Sequence, residues 1–150
     1  MTEFRLFHLG IAVSDLDIAT EFFERVFGFE LISSRVASHG YLGKLVGSPG
    51  ITAKINMLRI DENNLLEILE WAPISSGGPR QSFRVKINEY AAQHLCLYTN
   101  DAELVFSKLK SEEVEFISDA PIVVEDGPNK GAKVFFVKAF GFLYIEIFQR

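Results

Sequence analysis

The feature that most constrains the fold of this chain is an internal repeat. The 150 residues contain one pattern twice, and in each copy a predicted strand opens with a histidine while the last strand contains a glutamate. The first copy begins FHLGIAVSDLDIATEFFERVFGFELIS and ends LLEILEW; the second begins QHLCLYTNDAELVFSKLKSEEVEFIS and ends LYIEIFQ. The repeat therefore gives His8 and Glu67 in one half the same relative positions as His94 and Glu146 in the other.

Hydrophobic periodicity predicts the order βαβββ in each half. Segments with alternating or continuous apolar residues predict strands at 5–13, 29–33, 51–60, 64–71, 93–99, 114–117, 133–138 and 142–148. One segment per half has helical spacing, with Ser14 or Asp15 as the candidate cap of the first helix and Asn100 or Asp101 as that of the second. The glycine-rich residues 34–50 predict a mobile loop.

The two copies are predicted to form one domain. Module one spans about 4–72 and module two about 90–150, and APISSGGPR at 72–80 is the best linker candidate because it is rich in Pro, Gly and Ser. A module of roughly 70 residues buries too little apolar surface to be stable alone. We therefore expect a single α+β domain built from paired modules.

Composition excludes several classes of function. The formal net charge of −5 and the scattered basic residues argue against a nucleic-acid partner. The single cysteine, Cys96, rules out an internal disulfide and suits a reducing compartment. The N-terminus has no long apolar segment typical of a secretory signal, and no segment approaches the ~20 apolar residues of a membrane span. These features predict a cytoplasmic protein that acts on a small molecule, without a membrane partner.

The four repeated residues are candidate metal ligands. Strand alternation places each histidine and each glutamate among apolar or aromatic neighbours on a sheet face. A buried carboxylate without a partner is costly, whereas a divalent cation would satisfy both carboxylates and both imidazoles. We predict one metal ion (Zn, Ni, Co, Mn or Fe) held by His8, Glu67, His94 and Glu146. A slip of one residue in strand 64–71 would instead present Glu70, and a single histidine in a strand is more often structural.

Five further side chains are predicted to contact a substrate. Four are aromatic residues that would line the same sheet faces, and the fifth is a histidine in the glycine-rich loop: Trp71, Tyr98, Tyr144, Phe148 and His39. Loops of this kind often close over ligands. The alternatives are ordinary core packing for the aromatic residues and a solvated loop position for His39.

The repeated motifs resemble a known superfamily. The segments HLGIAVSDLDIATEFFERVFGFEL, HLCLYTNDAEL and YIEIF are similar to the vicinal oxygen chelate superfamily, which includes glyoxalase I, methylmalonyl-CoA epimerase, extradiol dioxygenases and bleomycin or fosfomycin resistance proteins. The resemblance covers nearly the whole chain. It implies two paired βαβββ modules that form a curved mixed sheet around a cleft, with His8, Glu67, His94 and Glu146 at the ligand positions, and a homodimer.

The chain departs from the superfamily pattern in two places. Many members carry an Asp-Pro-Asp/Asn-Gly turn before the last strand, whereas Lys138-Ala139-Phe140-Gly141 keeps only the glycine. Methylmalonyl-CoA epimerase uses a further glutamate of the first module as one of two bases, but no Asp or Glu lies between Glu30 and Asp61 here. A two-base mechanism would therefore need Glu67 or His39 as the substitute.

The resemblance implies a metal-dependent lyase or isomerase of the glyoxalase I or methylmalonyl-CoA epimerase type. Such an enzyme removes a proton α to a carbonyl, and the metal stabilises the enediolate that results. Glu146 is the preferred base and Glu67 the second catalytic candidate. The alternatives are an extradiol-type dioxygenase, which a fourth protein ligand at Glu67 disfavours, and a non-enzymatic binding protein of the resistance type.

Overall fold

The computed structural model describes residues 5–38, 40–72, 86–90 and 92–150. The chain divides into two compact units, Met1–Gly78 and Pro79–Arg150. Their boundary falls within the predicted linker, which after Ala72 lies outside the described residues. The division matches the two predicted modules, and their union in one domain stays a prediction.

The first unit is a four-stranded mixed sheet with two helices. Its elements are β1 (Leu9–Ala12), α1 (Leu16–Phe27), β2 (Glu30–Ala37), α2 (Gly40–Val46), β3 (Thr52–Arg59) and β4 (Leu65–Ala72). The strand order is β1-β4-β3-β2. The first strand runs parallel to the last one, and the remaining neighbours are antiparallel.

The second unit repeats this topology. Its elements are β5 (His94–Tyr98), α3 (Ala102–Leu109), β6 (Val114–Phe116), β7 (Ile122–Val123), β8 (Lys133–Ala139) and β9 (Leu143–Gln149). The main strand order is β5-β9-β8-β6, and β7 pairs with β8. Again the first strand is parallel to the last. The predicted α+β class with two modules of mixed strands is confirmed.

Each unit buries one face of its sheet beneath a helix. The apolar side of α1 is formed by buried residues that include Ala19, Phe22, Phe23 and Val26, and α1 packs on β3 and β4. In the second unit, Phe106 of α3 contacts Phe135 of β8 edge to face, with ring centroids 5.0 Å apart. In each unit the His–Glu pair lies on the sheet face opposite this helix, because side chains alternate along a strand. In the first unit, Leu42 of α2 packs on another part of that face.

Aspartates cap the two helices. Asp15 accepts a hydrogen bond from the Ile18 backbone N–H at 3.0 Å, and Asp101 accepts one from Leu104 at 3.0 Å. The alternatives Ser14 and Asn100 are therefore not the caps. Gly28 ends α1 with φ of 72°, a left-handed conformation that glycine adopts at low cost.

A second carboxylate or amide in each unit binds the first residue of the helix. Glu70 Oε2 accepts from the Leu16 backbone N–H at 2.9 Å, and Gln149 Oε1 accepts from Ala102 at 2.8 Å. Each lies three residues after the repeated strand glutamate, so its side chain points to the helix side of the sheet. The structure thereby places Glu70 on the face opposite Glu67, and the slipped register is not adopted.

The predicted loop at 34–50 is wrong over most of its length. Strand β2 continues to Ala37, and Gly40–Val46 is a helix. At Gly43, the glycine is explained by a close backbone contact and not by a loop. A Cβ there would meet the Ser48 carbonyl oxygen at 2.9 Å and the Pro49 Cα at 3.1 Å, so glycine permits the chain to fold back closely on the helix.

The strands differ from the prediction at two further points. Strand β1 begins at Leu9, so His8 directly precedes it, and the short strand β7 was not predicted. The turn after β8 departs from the superfamily sequence, as the sequence analysis noted. In that turn Phe140 has φ of 54° and Gly141 φ of 74°. Two consecutive positive φ values are typical of a type I′ hairpin turn, and no ligand candidate is lost.

Candidate functional site

The first His–Glu pair joins the start of β1 to β4. His8 Nε2 lies 3.3 Å from Glu67 Oε2, and the Glu67 side chain is 15 % exposed. Gly10 is the register partner of Glu67, and a Cβ at Gly10 would stand 3.7 Å from Glu67 Oε2. The small residue therefore keeps the space beside the carboxylate open. His8 Nδ1 is buried and has no hydrogen-bond partner among the described residues.

The second pair joins β5 to β9 with the same construction. His94 Nε2 lies 2.9 Å from Glu146 Oε2, and the Glu146 side chain is 18 % exposed. Cys96 is the register partner of Glu146 in place of the glycine. Phe136 of β8 contacts the His94 imidazole edge to face, with centroids 5.4 Å apart, and so restrains the ring.

Cys96 acts as a hydrogen-bond donor to this pair. Partial burial of the thiol, the charge of Glu146 and the hydrogen bond to Glu146 raise the pKa of Cys96 to about 11. The thiol therefore stays protonated at neutral pH and donates to the carboxylate. A thiol with a raised pKa is a poor nucleophile, so we exclude Cys96 as a covalent catalyst in this state.

The donor geometry of each pair fits a divalent metal ion. Ligands at about 2.1 Å from an ion are separated from each other by about 3.0–3.4 Å in octahedral or tetrahedral geometry. The two imidazole-to-carboxylate distances of 3.3 and 2.9 Å are close to this spacing. Among the described residues, no group of three or more potential ligands is assembled. Each unit thus brings together one candidate nitrogen donor and one candidate oxygen donor. Binding of a single ion by all four residues is a proposal.

The predicted substrate-binding residues have different environments. Trp71 lies on the same face as Glu67 and packs against a buried cluster of Ala37, Leu42, Ala53 and Ile55. Tyr98 is exposed, Phe148 is half-buried, and Tyr144 is buried. His39 lies outside the described residues. Contact of these residues with a substrate stays a prediction.

One residue that the sequence reasoning missed is Lys138. Its side chain is 9 % exposed, and its Nζ lies 5.2 Å from the centroid of the Tyr144 ring. The sequence analysis placed Lys138 at the end of the predicted strand 133–138 and in the turn that follows, and it gave the residue no role. The signal that could have revealed it is strand alternation, because Lys138 follows Phe136 by two residues and so shares its face.

Comparison with known proteins identifies the family. Residues 5–122 match the model of the Glyoxalase/Bleomycin resistance protein/Dioxygenase superfamily. The chain belongs to this superfamily. The resemblance inferred from the repeated motifs is thereby confirmed.

Superfamily relatives include an enzyme and several solved structures. The chain is 30 % identical over 139 residues to a 2-epi-5-epi-valiolone epimerase from an Actinomyces species, covering 89 % of this chain and 73 % of the relative. A glyoxalase family protein from Bacillus cereus has a TM-score of 0.80 at 15 % identity, with 99 % and 97 % of the chains covered. A fosfomycin resistance protein from Listeria monocytogenes, solved with Mn(II) and sulfate, has a TM-score of 0.58 at 16 % identity, with 99 % and 94 % covered. These structural likenesses establish the fold.

The helices of this superfamily member are short. Among the described residues, none of them is long and apolar enough to cross a membrane.

Proposed function

We propose that this superfamily member is a metal-dependent isomerase of the epimerase type, which removes a proton α to a carbonyl of a small molecule. The observation that carries the proposal is the recurrence of one His–Glu pair at matched positions of both units, with short nitrogen-to-oxygen distances each time. We propose that both pairs bind the same divalent ion, so that the units work as one domain. The ion would polarise the carbonyl oxygen and acidify the neighbouring C–H bond.

Glu146 is the proposed base that removes the proton, a role that its carboxylate would take when the substrate displaces it from the ion. Its carboxylate is mostly buried, it lies beside the imidazole of His94, and it accepts a hydrogen bond from Cys96. The thiol and the imidazole orient the carboxylate on the open face of β9. A fixed carboxylate near a weakened C–H bond is what general base catalysis requires.

Glu67 is the proposed second acid–base group. Epimerisation removes a proton on one side of a carbon and returns a proton on the other side, so two groups are needed. In the first unit, Glu70 is committed to the N-terminus of α1 on the opposite face. No Asp or Glu lies between Glu30 and Asp61. Glu67, on the His–Glu face of the first unit, is therefore the best candidate for the second acid–base group.

The relative with 30 % identity supports an isomerase over a lyase. Its name is 2-epi-5-epi-valiolone epimerase, and the alignment extends over most of both chains. We therefore propose a small carbonyl compound as the substrate, with 2-epi-5-epi-valiolone as the first candidate to test. A homodimer, as the superfamily resemblance implies, is part of the proposal, and sedimentation equilibrium tests it.

The experiment that tests the proposal is hydrogen exchange in D₂O. The metal content of purified protein is measured first, and the protein is then incubated with 2-epi-5-epi-valiolone, a 2-substituted acyl thioester or a hemithioacetal. We expect deuterium at the α carbon with at least one candidate, dependent on the metal and lost after chelation. Exchange that proceeds equally fast with chelated protein would contradict the proposal.

The same assay separates the alternatives. Conversion of the hemithioacetal alone would indicate a glyoxalase-type lyase. Oxygen uptake with a catechol would indicate a dioxygenase. Tight binding of a candidate without exchange or turnover would indicate a binding protein of the resistance type.

A further inference from the structure

A lysine on the His–Glu face of the second sheet is largely buried. Lys138 is 9 % exposed although it carries an ammonium group. Lysine is almost never buried to this extent unless a partner compensates for the lost hydration. Among the described residues, its Nζ has one contact, with the face of the Tyr144 ring at 5.2 Å, and forms no ion pair. Nζ itself is not among the buried polar atoms that lack a partner, so the aliphatic stem is buried while the ammonium reaches the surface of this face.

The position of Lys138 connects it to the proposed catalytic residues. Lys138 and His94 are the register partners of Tyr144 on its two sides, so the three side chains form one row across β8, β9 and β5. Phe136, Glu146 and Cys96 form the next row on the same face. The two rows are separated by about 6.8 Å along the strands. The Lys138 ammonium therefore lies on the same sheet face as the Glu146 carboxylate, the proposed base. The spacing of the two rows leaves room for a small group of a ligand between them.

The equivalent position of the first unit is filled by an ordinary surface ion pair. Arg59 pairs with Leu65, two residues before Glu67, as Lys138 pairs with Tyr144, two residues before Glu146. Arg59 Nε lies 3.1 Å from Oε2 of its cross-strand neighbour Glu30, and the Arg59 side chain is 47 % exposed.

The second unit also has a glutamate on the neighbouring strand, but the lysine forms no ion pair with it. Glu115 is the cross-strand partner of Lys138, and its side chain is exposed. Lys138 contacts the Tyr144 ring instead of this carboxylate. The ammonium is thus kept available on the face that carries His94 and Glu146.

We propose that Lys138 is a substrate-specificity residue, which binds an anionic oxygen group of the ligand, either a carboxylate or a phosphoryl group. An ammonium with unused N–H donors, on a stem that packs against the sheet, binds such a group through charge-assisted hydrogen bonds. Tyr144 holds the lysine stem against the sheet so that the donors face the ligand. The inference rests on the proposed function for the location of the reacting carbon. Among carbonyl compounds it favours those that carry a carboxylate or phosphoryl group over neutral candidates such as 2-epi-5-epi-valiolone.

The test measures anion binding to chelator-treated protein, so that no metal competes for the probe. Inorganic phosphate and malonate are titrated separately at pH 8, with chloride holding the ionic strength constant, and binding is followed by calorimetry. We expect saturable binding of at least one anion. Lys138→Gln should weaken this binding at least about 10-fold, whereas Lys138→Arg should stay within about 3-fold because the charge is retained.

Arg59→Gln is the matched control. It removes the same charge from the equivalent position of the first unit and should leave anion affinity unchanged. In protein labelled with ¹³C-lysine, the Cε signal of Lys138, assigned with Lys138→Arg, should shift on titration. This second measurement keeps the proposal testable if Lys138→Gln fails to fold.

Each outcome decides a defined point. Binding of phosphate alone assigns a phosphoryl group, and binding of malonate alone assigns a carboxylate. The inference is overturned if neither anion binds, if Lys138→Gln binds as tightly as the wild type, or if Arg59→Gln weakens binding equally. Because the protein is metal-free, these results are independent of whether the metal proposal holds, which metal analysis decides separately.

Discussion

The two units of this chain contain the same His–Glu pair in different surroundings. In the first unit the residues that flank the glutamate are small or apolar: Gly10 beside it on β1 and Met57 on β3. In the second unit the corresponding residues are Cys96, which donates a hydrogen bond to Glu146, and Phe136, which contacts the imidazole of His94. The proposed metal donors are the same in both units, while their neighbours differ.

The residues two positions before each glutamate, and their partners on the neighbouring strand, also differ between the units. The first unit has Leu65 and an exposed Arg59 that Glu30 neutralises. The second unit has Tyr144 and the buried Lys138. Under the proposed function, the first unit would mainly supply metal donors, whereas the second would also supply groups that orient the base and select the substrate. The following predictions test that asymmetry.

The largest effect is expected from removing either histidine. His8→Ala and His94→Ala should each abolish stoichiometric metal, because each removes one of four donors. Elemental analysis after gel filtration measures the metal, and circular dichroism shows that the fold is retained. If one variant keeps its full metal content, the corresponding pair is not part of the site.

The next effect is expected on activity. Glu146→Gln keeps the size and one oxygen donor but removes the basic carboxylate, so exchange in D₂O should fall by at least about 10² when metal is retained. Glu70→Gln is the control, because Glu70 lies on the helix side of its sheet. Comparable losses in both variants would mean that the effect of Glu146→Gln is not catalytic.

A smaller effect is expected on the chemistry of the thiol. Burial and Glu146 raise the pKa of Cys96 to about 11, so little thiolate is present at pH 8. Glu146→Gln removes the negative charge, which should lower the pKa of Cys96 and speed alkylation by iodoacetamide by about 10-fold in metal-free protein. An unchanged rate in this variant would show that Glu146 does not control the thiol.

The smallest effect is expected on thermal stability. It distinguishes the N-terminus of α1, which Glu70 binds, from that of α3, which Gln149 binds. The hydrogen bond from Leu16, followed by that from Lys54, lowers the pKa of Glu70 below the ordinary value of 4.5. A carboxylate whose pKa is lower in the folded state stabilises the protein above the unfolded pKa, and this stabilisation is lost as the pH falls through the folded value. Glu70→Gln should therefore lower Tm at pH 7 and have little effect near pH 3.

The reciprocal change sharpens this comparison. Gln149 binds the N-terminus of α3 without a charge. Gln149→Glu should therefore raise Tm at pH 7 through the helix dipole, by roughly the equivalent of 0.5 kcal/mol, and not at pH 3. Thermal melts at the two pH values measure both variants, and a pH-independent effect would exclude the charge as the cause.

The parts of the fold predicted from the sequence are those set by local patterns. Helix caps act on backbone groups three residues away, so Asp15 and Asp101 could be named as candidates from the sequence. Strand alternation likewise placed the His–Glu residues on sheet faces. The repeat located both pairs because duplicated topology gives equivalent residues equivalent neighbours.

The features that the sequence did not predict depend on how the chain turns back on itself. Helix α2 forms where the glycine content indicated a loop, because Gly43 permits close approach of the Ser48 and Pro49 backbone. The contact between Lys138 and Tyr144 depends on the pairing of β8 with β9, which places the ring beneath the ammonium. Both contacts join residues close in sequence, but they depend on the conformation of the intervening turn, which hydrophobic periodicity does not report.

The most direct test of the central claim, that the two His–Glu pairs hold one ion together, is the metal stoichiometry of the wild-type protein. Chelator-treated protein is titrated with Co(II) or Zn(II), and the bound ion is counted per chain by calorimetry and elemental analysis. The account predicts one ion per chain. Two ions per chain, one for each pair, or no bound ion would contradict it.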